Sequence, residues 1–309
     1  VIVDLHHRPR IGAYILTRDL GPTTVLGGTS NVLRDLAERP SMLASVASAR
    51  PQPDRFLALH EANQTSHVAY RFPPMRGKAE EARLIAAVES AALLEHPHAL
   101  KIEKFTFDIA GQGWLITPYP GDADGIRTLS RLLREKGGQM RPVEAERAMH
   151  QLLEVVALAH GGGVLQPPPG ADGIAPPRAV PCHGPIHMDE VLVDRRGSLL
   201  VELYGLGRAM DQTGRPSLES MRDEVRSVVE MGYQLLTGLR AEHPLIPAGR
   251  LVPKLDPRWD SWLSRGLDPS GGFDSAESAL AALPTQGGPV GSPVLMRGAQ
   301  VRQGTARGA

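Results

Sequence analysis

The chain has 309 residues, enough for one large domain or two modest ones around a substantial buried core. Lys plus Arg and Asp plus Glu are equal at 34 each, so no global field favours nucleic acid or an anionic membrane. A single cysteine, Cys182, excludes an internal disulfide framework and no apolar run approaches the roughly 18 residues that span a bilayer. The opening Val-Ile-Val-Asp-Leu-His-His lacks a basic-then-apolar leader, so a cytoplasmic protein is expected.

Residues 11–26 alternate only in part before Gly21-Pro22, which suits a strand running into a turn. Phe56 to Glu61 and His67 to Phe72 read as the arms of a hairpin joined through Ala62-Asn-Gln-Thr. From Lys78 to Leu94, Leu84, Ile85, Val88, Ala91 and Ala92 fall at helical spacing, and His96-Pro97-His98 stops the helix because proline disfavours helix at the residue before it. Trp114-Leu-Ile-Thr-Pro-Tyr-Pro-Gly121 has the composition of a buried strand leading into a connection.

Val143 to His160 carries one apolar stripe, Met149, Leu152, Leu153, Val156 and Ala159, with Gly161 placed as a C-terminal cap. Gln166 to Pro181 is a proline-rich loop. Val225, Val228, Val229, Gly232, Leu235 and Leu236 mark a second core helix ending at Thr237-Gly238, and Trp259, Trp262 and Leu263 repeat the spacing. Gly-rich residues 285–309 read as a disordered tail. Strands first and helices afterwards predict an α+β, two-lobed arrangement.

The most informative segment is His183-Gly-Pro-Ile-His-Met-Asp-Glu-Val-Leu-Val-Asp194, followed by Leu203-Tyr204-Gly205. Its layout resembles the H-R-D-L-x-x-x-N loop and D-F-G triplet of protein kinases. Further matches in order are Leu94-Glu-His-Pro-His, Ala157-Leu-Ala-His-Gly-Gly-Gly-Val, Tyr233-Gln-Leu-Leu-Thr-Gly and Leu255-Asp-Pro-Arg-Trp through Phe273-Asp-Ser-Ala. Over roughly residues 11–283 the chain is similar to the catalytic domain of bacterial Ser/Thr protein kinases, in particular receptor-type or Planctomycete-like ones. The resemblance implies an N-lobe at 11–120 with an insertion at about 27–54, a C-lobe at 121–283 with an insertion at about 166–181, an extension at 1–10 and a tail at 284–309.

What that family uses for packing is largely kept. His183 and Tyr204 stand where the family stacks His on Phe, and Glu224 stands for the helix Asp that anchors them. Ala69 and Leu192 stand where it sandwiches adenine, Thr117 where pocket depth is limited, and Tyr119 in the connection beside it. What the family uses for chemistry is mostly absent. Pro185 takes the place of the catalytic base and Leu203 that of the metal-binding Asp, while Glu190 takes that of the Asn. Val68-Ala69-Tyr70-Arg71 has the layout of V-A-I-K, so Arg71 stands for the phosphate lysine, and Ala87 for its partner Glu, with Glu89 a solvated charge. The Gly-rich loop reads Gly21-Pro-Thr-Thr-Val-Leu, where Pro22 has no N–H to offer phosphate. The activation segment, Leu206 to about Glu219, is short, and Gly272 replaces a bracing Arg.

The resemblance therefore implies a pseudokinase that serves as a signalling scaffold with a protein partner. ATP would bind, if at all, through Ala69, Arg71, Thr117, Tyr119 and Leu192; Mg2+ is not expected, Glu190 being a weak ligand candidate. A second reading is a divergent active kinase in which Glu190, Asp189 or Glu202 holds the metal. A third takes His-Gly-x-Ile-His as the loop of small-molecule phosphotransferases, which needs the same acid that Pro185 replaces. A fourth, a metal site of Cys182, His183, His187 and Asp189, is opposed by Pro185, which breaks the helix that would align the two histidines.

Overall fold

The computed structural model describes residues 8–23, 53–122, 124–161, 182–207, 217–268 and 270–285. The expectations for Thr24 to Leu26, most of the 27–54 insertion, the proline-rich loop, the centre of the activation segment and most of the tail lie outside them.

Six strands form one antiparallel sheet: β1 (Arg10–Ile11), β2 (Tyr14–Pro22), β3 (Asp54–His60), β4 (Ser66–Arg71), β5 (Lys104–Phe107) and β6 (Gly113–Pro118), in the order β1-β2-β3-β4-β6-β5. β2 shifts register against β3 between Leu16 and Arg18 and again between Asp19 and Gly21. Each shift reverses the side-chain alternation, which is why this strand alternates only in part in the sequence. The β3–β4 hairpin turns through Glu61 to Thr65, tied by the backbone bond from His60 N to Thr65 O at 2.9 Å.

Helix α1 (Lys78–Ala91) lays Leu84, Ala87, Val88 and Ala91 against one face of this sheet. The expected helix runs three residues further. Beyond Ala91 the chain tightens, with Leu93 N bonded to Ser90 O and Leu94 N to Ala91 O, so the last apolar residue is buried by a turn. Ile85 is half-buried and Ala92 exposed, while Ala87 faces the core.

The second lobe is built on α3 (Pro142–His160) and α4 (Leu218–Thr237). Their stripes interlock through Met149, Leu152, Leu153 and Val156 on one side and Val225, Val228, Val229 and Leu236 on the other, all buried in a single cluster. Each such side chain contributes roughly 1.5–3 kcal/mol of burial. Gly232 permits the approach: a Cβ there would lie 2.9 Å from Met149 Sδ. Gly161 does follow α3, but its φ of −63° is an ordinary helical value, so the left-handed cap is not used there. It is used after α4, where Gly238 has φ 75°.

A small sheet of β7 (Arg127–Thr128), β8 (Val191–Val193) and β9 (Leu199–Val201) lies between the lobes, with α2 (Leu129–Glu135) following β7 directly. Short helices α5 (Ala248–Leu251), α6 (Arg258–Gly266) and α7 (Ala276–Ala281) complete the second lobe, Trp262 donating Nε1–H to Ala279 O at 2.9 Å. Among the described residues, no helix is long and apolar enough to cross a membrane.

Candidate functional site

Residues 182–190 form the loop that leads into β8, and α4 fixes its shape. Glu224, fully buried, accepts the backbone N–H of His183 at 3.0 Å and of Gly184 at 3.4 Å through Oε2. The Tyr204 hydroxyl donates to Oε1, and His160 Nε2 lies 3.2 Å from Oε2. One turn along, Ser227 Oγ accepts Ile186 N–H at 2.8 Å. Burial by itself would raise the Glu224 carboxyl; the hydrogen bond from His160, the charges of His160 and His183 and the Cys182 contact outweigh it and hold the group below its usual range. Above this anchor the rings of His183 and Tyr204 meet edge to face, with centroids 5.3 Å apart.

The chemistry-bearing positions of the loop look different. Pro185 is exposed and offers no proton acceptor. Glu190 is 3 % exposed, and its Oε2 accepts His187 N–H at 2.8 Å. Burial, assisted by the charges of Glu202 and Asp189, pushes its carboxyl up to about 8 against the opposing His187 bond. Asp189 receives the Ser130 hydroxyl. Leu203 is fully buried and holds φ at 46°, a value unusual for a residue other than glycine.

The five nucleotide-pocket candidates divide between two faces of the first sheet. Ala69 lies in a cluster with Ile11, Tyr14, Trp114 and Ile116. Arg71 lies on that same face, paired with Asp54 at 2.6 Å and stacked over Phe56 with its guanidinium carbon 5.0 Å from the ring centre. The opposite face, toward α1 and the loop, carries Val68, Tyr70, Phe72 and Leu115, in one cluster with Leu192 and Leu203; Tyr119 packs against it. Thr117, buried, pairs with Val68 in the ladder and so belongs to this inner face. The structure thus brings Thr117, Tyr119 and Leu192 together and sets Ala69 and Arg71 apart from them.

At the place on β4 nearest the triplet stands Tyr70 rather than Arg71. Its hydroxyl donates to Glu202 Oε1 at 2.7 Å, both residues being fully buried. Burial first, then the charge of Glu202, raises the Tyr70 phenol well above its usual value. Glu202 also pairs with Arg55 Nη1 at 3.3 Å and accepts the Thr23 hydroxyl at 3.0 Å. Thr23, Arg55 and Tyr70 come from the strand side and Glu202 directly precedes the triplet, so the cluster joins the lobes across the cleft. No sequence motif singles out Tyr70, Thr23 or Arg55. The signal was Val68, Tyr70 and Phe72 at period two, which by alternation alone puts the large side chains inward and Ala69 and Arg71 outward.

Potential cation ligands near the loop are Glu190, Glu202 and Asp189. The first two sit on adjoining backbone, Glu202 N–H donating to Glu190 O at 2.8 Å. Separately, a cavity of about 640 Å³ opens among Thr65, Ser66, Pro97, Tyr119, Arg195 and Leu200, and of the five pocket candidates it includes Tyr119 alone.

Among solved structures, the kinase domain of Mycobacterium tuberculosis PknI superposes with a TM-score of 0.57 at 16 % identity, covering 91 % of this chain and 98 % of that one. A doubly substituted form of the same domain gives 0.57 at 17 % identity over 88 % and 94 %. The fold is protein-kinase-like. In those terms the first sheet and α1 form a kinase-like N-lobe, and the helices from α2 onward a kinase-like C-lobe. No family model and no curated protein matches the sequence. At this identity the likeness describes architecture alone.

Proposed function

We propose that the chain is a pseudokinase: a kinase-like scaffold that engages a protein partner in signalling and transfers no phosphate. The observation that carries this reading is the Tyr70–Glu202 hydrogen bond, reinforced by Arg55 and Thr23. On the kinase resemblance the inward position of this strand would offer a cation to the nucleotide phosphates; here it offers a phenol already committed to a carboxylate. Pro185 supplies no base, and Leu203 no metal ligand. General-base and electrostatic contributions to such a transfer are each worth orders of magnitude, so their joint loss leaves negligible turnover.

In this reading nucleotide binding, where it occurs, is weak and independent of metal. Thermal unfolding with ATP, in the presence and absence of Mg2+ or Mn2+, tests it: the account expects no metal-dependent rise in Tm. A stabilisation by ATP that requires the metal would favour the second reading, a divergent active kinase. One observation speaks for that alternative, namely that Glu190 and Glu202 are two buried acids on adjoining backbone. Against it, a Glu190 carboxyl titrating near 8 is mostly protonated at neutral pH and a poor ligand until a cation displaces its proton.

A further inference from the structure

Outside the cleft, the cavity of about 640 Å³ is lined from four stretches of chain: the β3–β4 turn, the segment after α1, the connection through Tyr119, and β9 with the turn that precedes it. It contains none of Thr117, Leu192, Glu190 and Glu202, so its chemistry is separate from that of the loop. Its floor is apolar, with Ala99 and Leu100 buried and Tyr119 and Leu200 half-buried. Its rim is cationic: Lys101, Arg195 and Arg196 are all exposed.

These cations have no counter-ion to spare. Asp194 is the one acid among the described residues that line the cavity, and its Oδ1 serves the turn, accepting the backbone N–H of Arg196 at 2.8 Å and of Ser198 at 2.7 Å. Arg195 donates Nε–H to Gly121 O at 2.8 Å, which fixes its guanidinium beside the connection and leaves the two terminal nitrogens without a partner among the described residues. Lys101 and Arg196 likewise enter no ion pair among those residues. Elsewhere on the two sheets Arg55, Arg71 and Arg127 each pair with an acid. In a chain whose charges balance at 34 each, the cavity is a local excess of positive charge over an apolar floor.

We propose that this cavity docks an acidic peptide segment of a partner protein, with an apolar side chain entering the floor and carboxylates on either side of it meeting Lys101, Arg195 and Arg196. A guanidinium presents paired donors whose geometry matches a carboxylate, and a lysine adds a point charge. A segment of chain suits the site better than a small anion. Small-molecule sites enclose most of their ligand, whereas here Thr65, Ser66 and all three cations stand in solvent and leave room for a ligand that continues beyond the cavity. The site gives the pseudokinase reading the chemistry of its partner, and rests on that reading only in that a partner exists.

Fluorescence anisotropy of a labelled peptide of Glu-Glu-Leu repeats, titrated with the full chain, tests the site. The proposal expects saturable binding that weakens as salt is added, and none by the Lys-Lys-Leu counterpart. Lys101→Glu combined with Arg196→Glu, both at exposed positions, should lower the affinity at least about tenfold with Tm unchanged. A peptide of Glu alone should bind more weakly, since nothing then fills the floor. Failure to saturate at millimolar protein overturns the proposal, as does an unchanged affinity in the folded double variant. Equal binding by the Glu-only peptide, or full displacement by inorganic phosphate at constant ionic strength, would make the cavity a simple anion site and overturns it too. Phosphate transfer is read separately: absence of docking without transfer leaves the pseudokinase reading in place, and transfer alongside docking overturns that reading alone.

Discussion

Tyr70 on β4 and Glu202 before the triplet share a hydrogen bond of 2.7 Å with both side chains fully buried. Because Arg55 and Thr23 close on the same carboxylate, the N-lobe is fastened to the C-lobe at the acid that directly precedes the triplet. Tyr70→Phe keeps the ring packing and removes only the donor. It should cost about 1.5–3 kcal/mol in chemical denaturation, the amount typical of a bond to a charged partner. A cost near zero would mean that Arg55 and Thr23 satisfy Glu202 without it.

Glu190 gives the protein a pH signature. Its folded carboxyl titrates near 8 against an ordinary 4.5, so between those values the folded state holds a proton that the unfolded state has lost. This group's contribution therefore declines as pH rises from about 4.5 to about 8 and is level beyond, with a slope on the order of 1 kcal/mol per pH unit. Glu190→Gln keeps an acceptor for His187 N–H and cannot ionise. It should flatten that part of the stability profile and be more stable than the parent at pH 8.5, as read from urea midpoints across the window.

Glu224 acts with the opposite sign. Its carboxyl is held below its ordinary value, so the stability it confers is present above about pH 4.5 and fades as pH falls through the lower, folded value. Glu224→Ala would strand the backbone donors of His183 and Gly184 and the Tyr204 hydroxyl in the interior. A loss of about 3–5 kcal/mol at neutral pH is expected. The deficit should shrink in acid, which a comparison of unfolding midpoints at neutral and acidic pH would show.

Much of the fold was legible because its signals are periodic. The stripes of α3 and α4 map onto the buried cluster nearly residue for residue, and the stacking of His183 on Tyr204 over Glu224 follows from motif order. The site was less legible for two physical reasons. A four-letter match set Arg71 in the phosphate position, whereas strand alternation turns it to the other face, and a one-residue difference in register reverses every side chain. The Glu202 cluster and the His160–Cys182–Glu224 convergence draw on residues distant in sequence, and no local spacing announces them.

Gly238 tests the packing around the second lobe. It adopts φ 75° after α4, and a Cβ would come within 2.8 Å of Gly138 O. Gly238→Ala combines left-handed strain with a backbone clash and should cost at least about 1–3 kcal/mol. Its effect on nucleotide binding should be nil, as a dye-displacement assay on the folded variant would report.

The claim that the cleft has lost its chemistry is tested most directly by phosphate transfer. Purified protein incubated with labelled ATP, Mg2+ or Mn2+ and a general protein substrate should incorporate no label into itself or the substrate above a heat-denatured control. Incorporation that proceeds in the wild-type chain and is abolished by Glu190→Gln would contradict the account and assign the loop an active role.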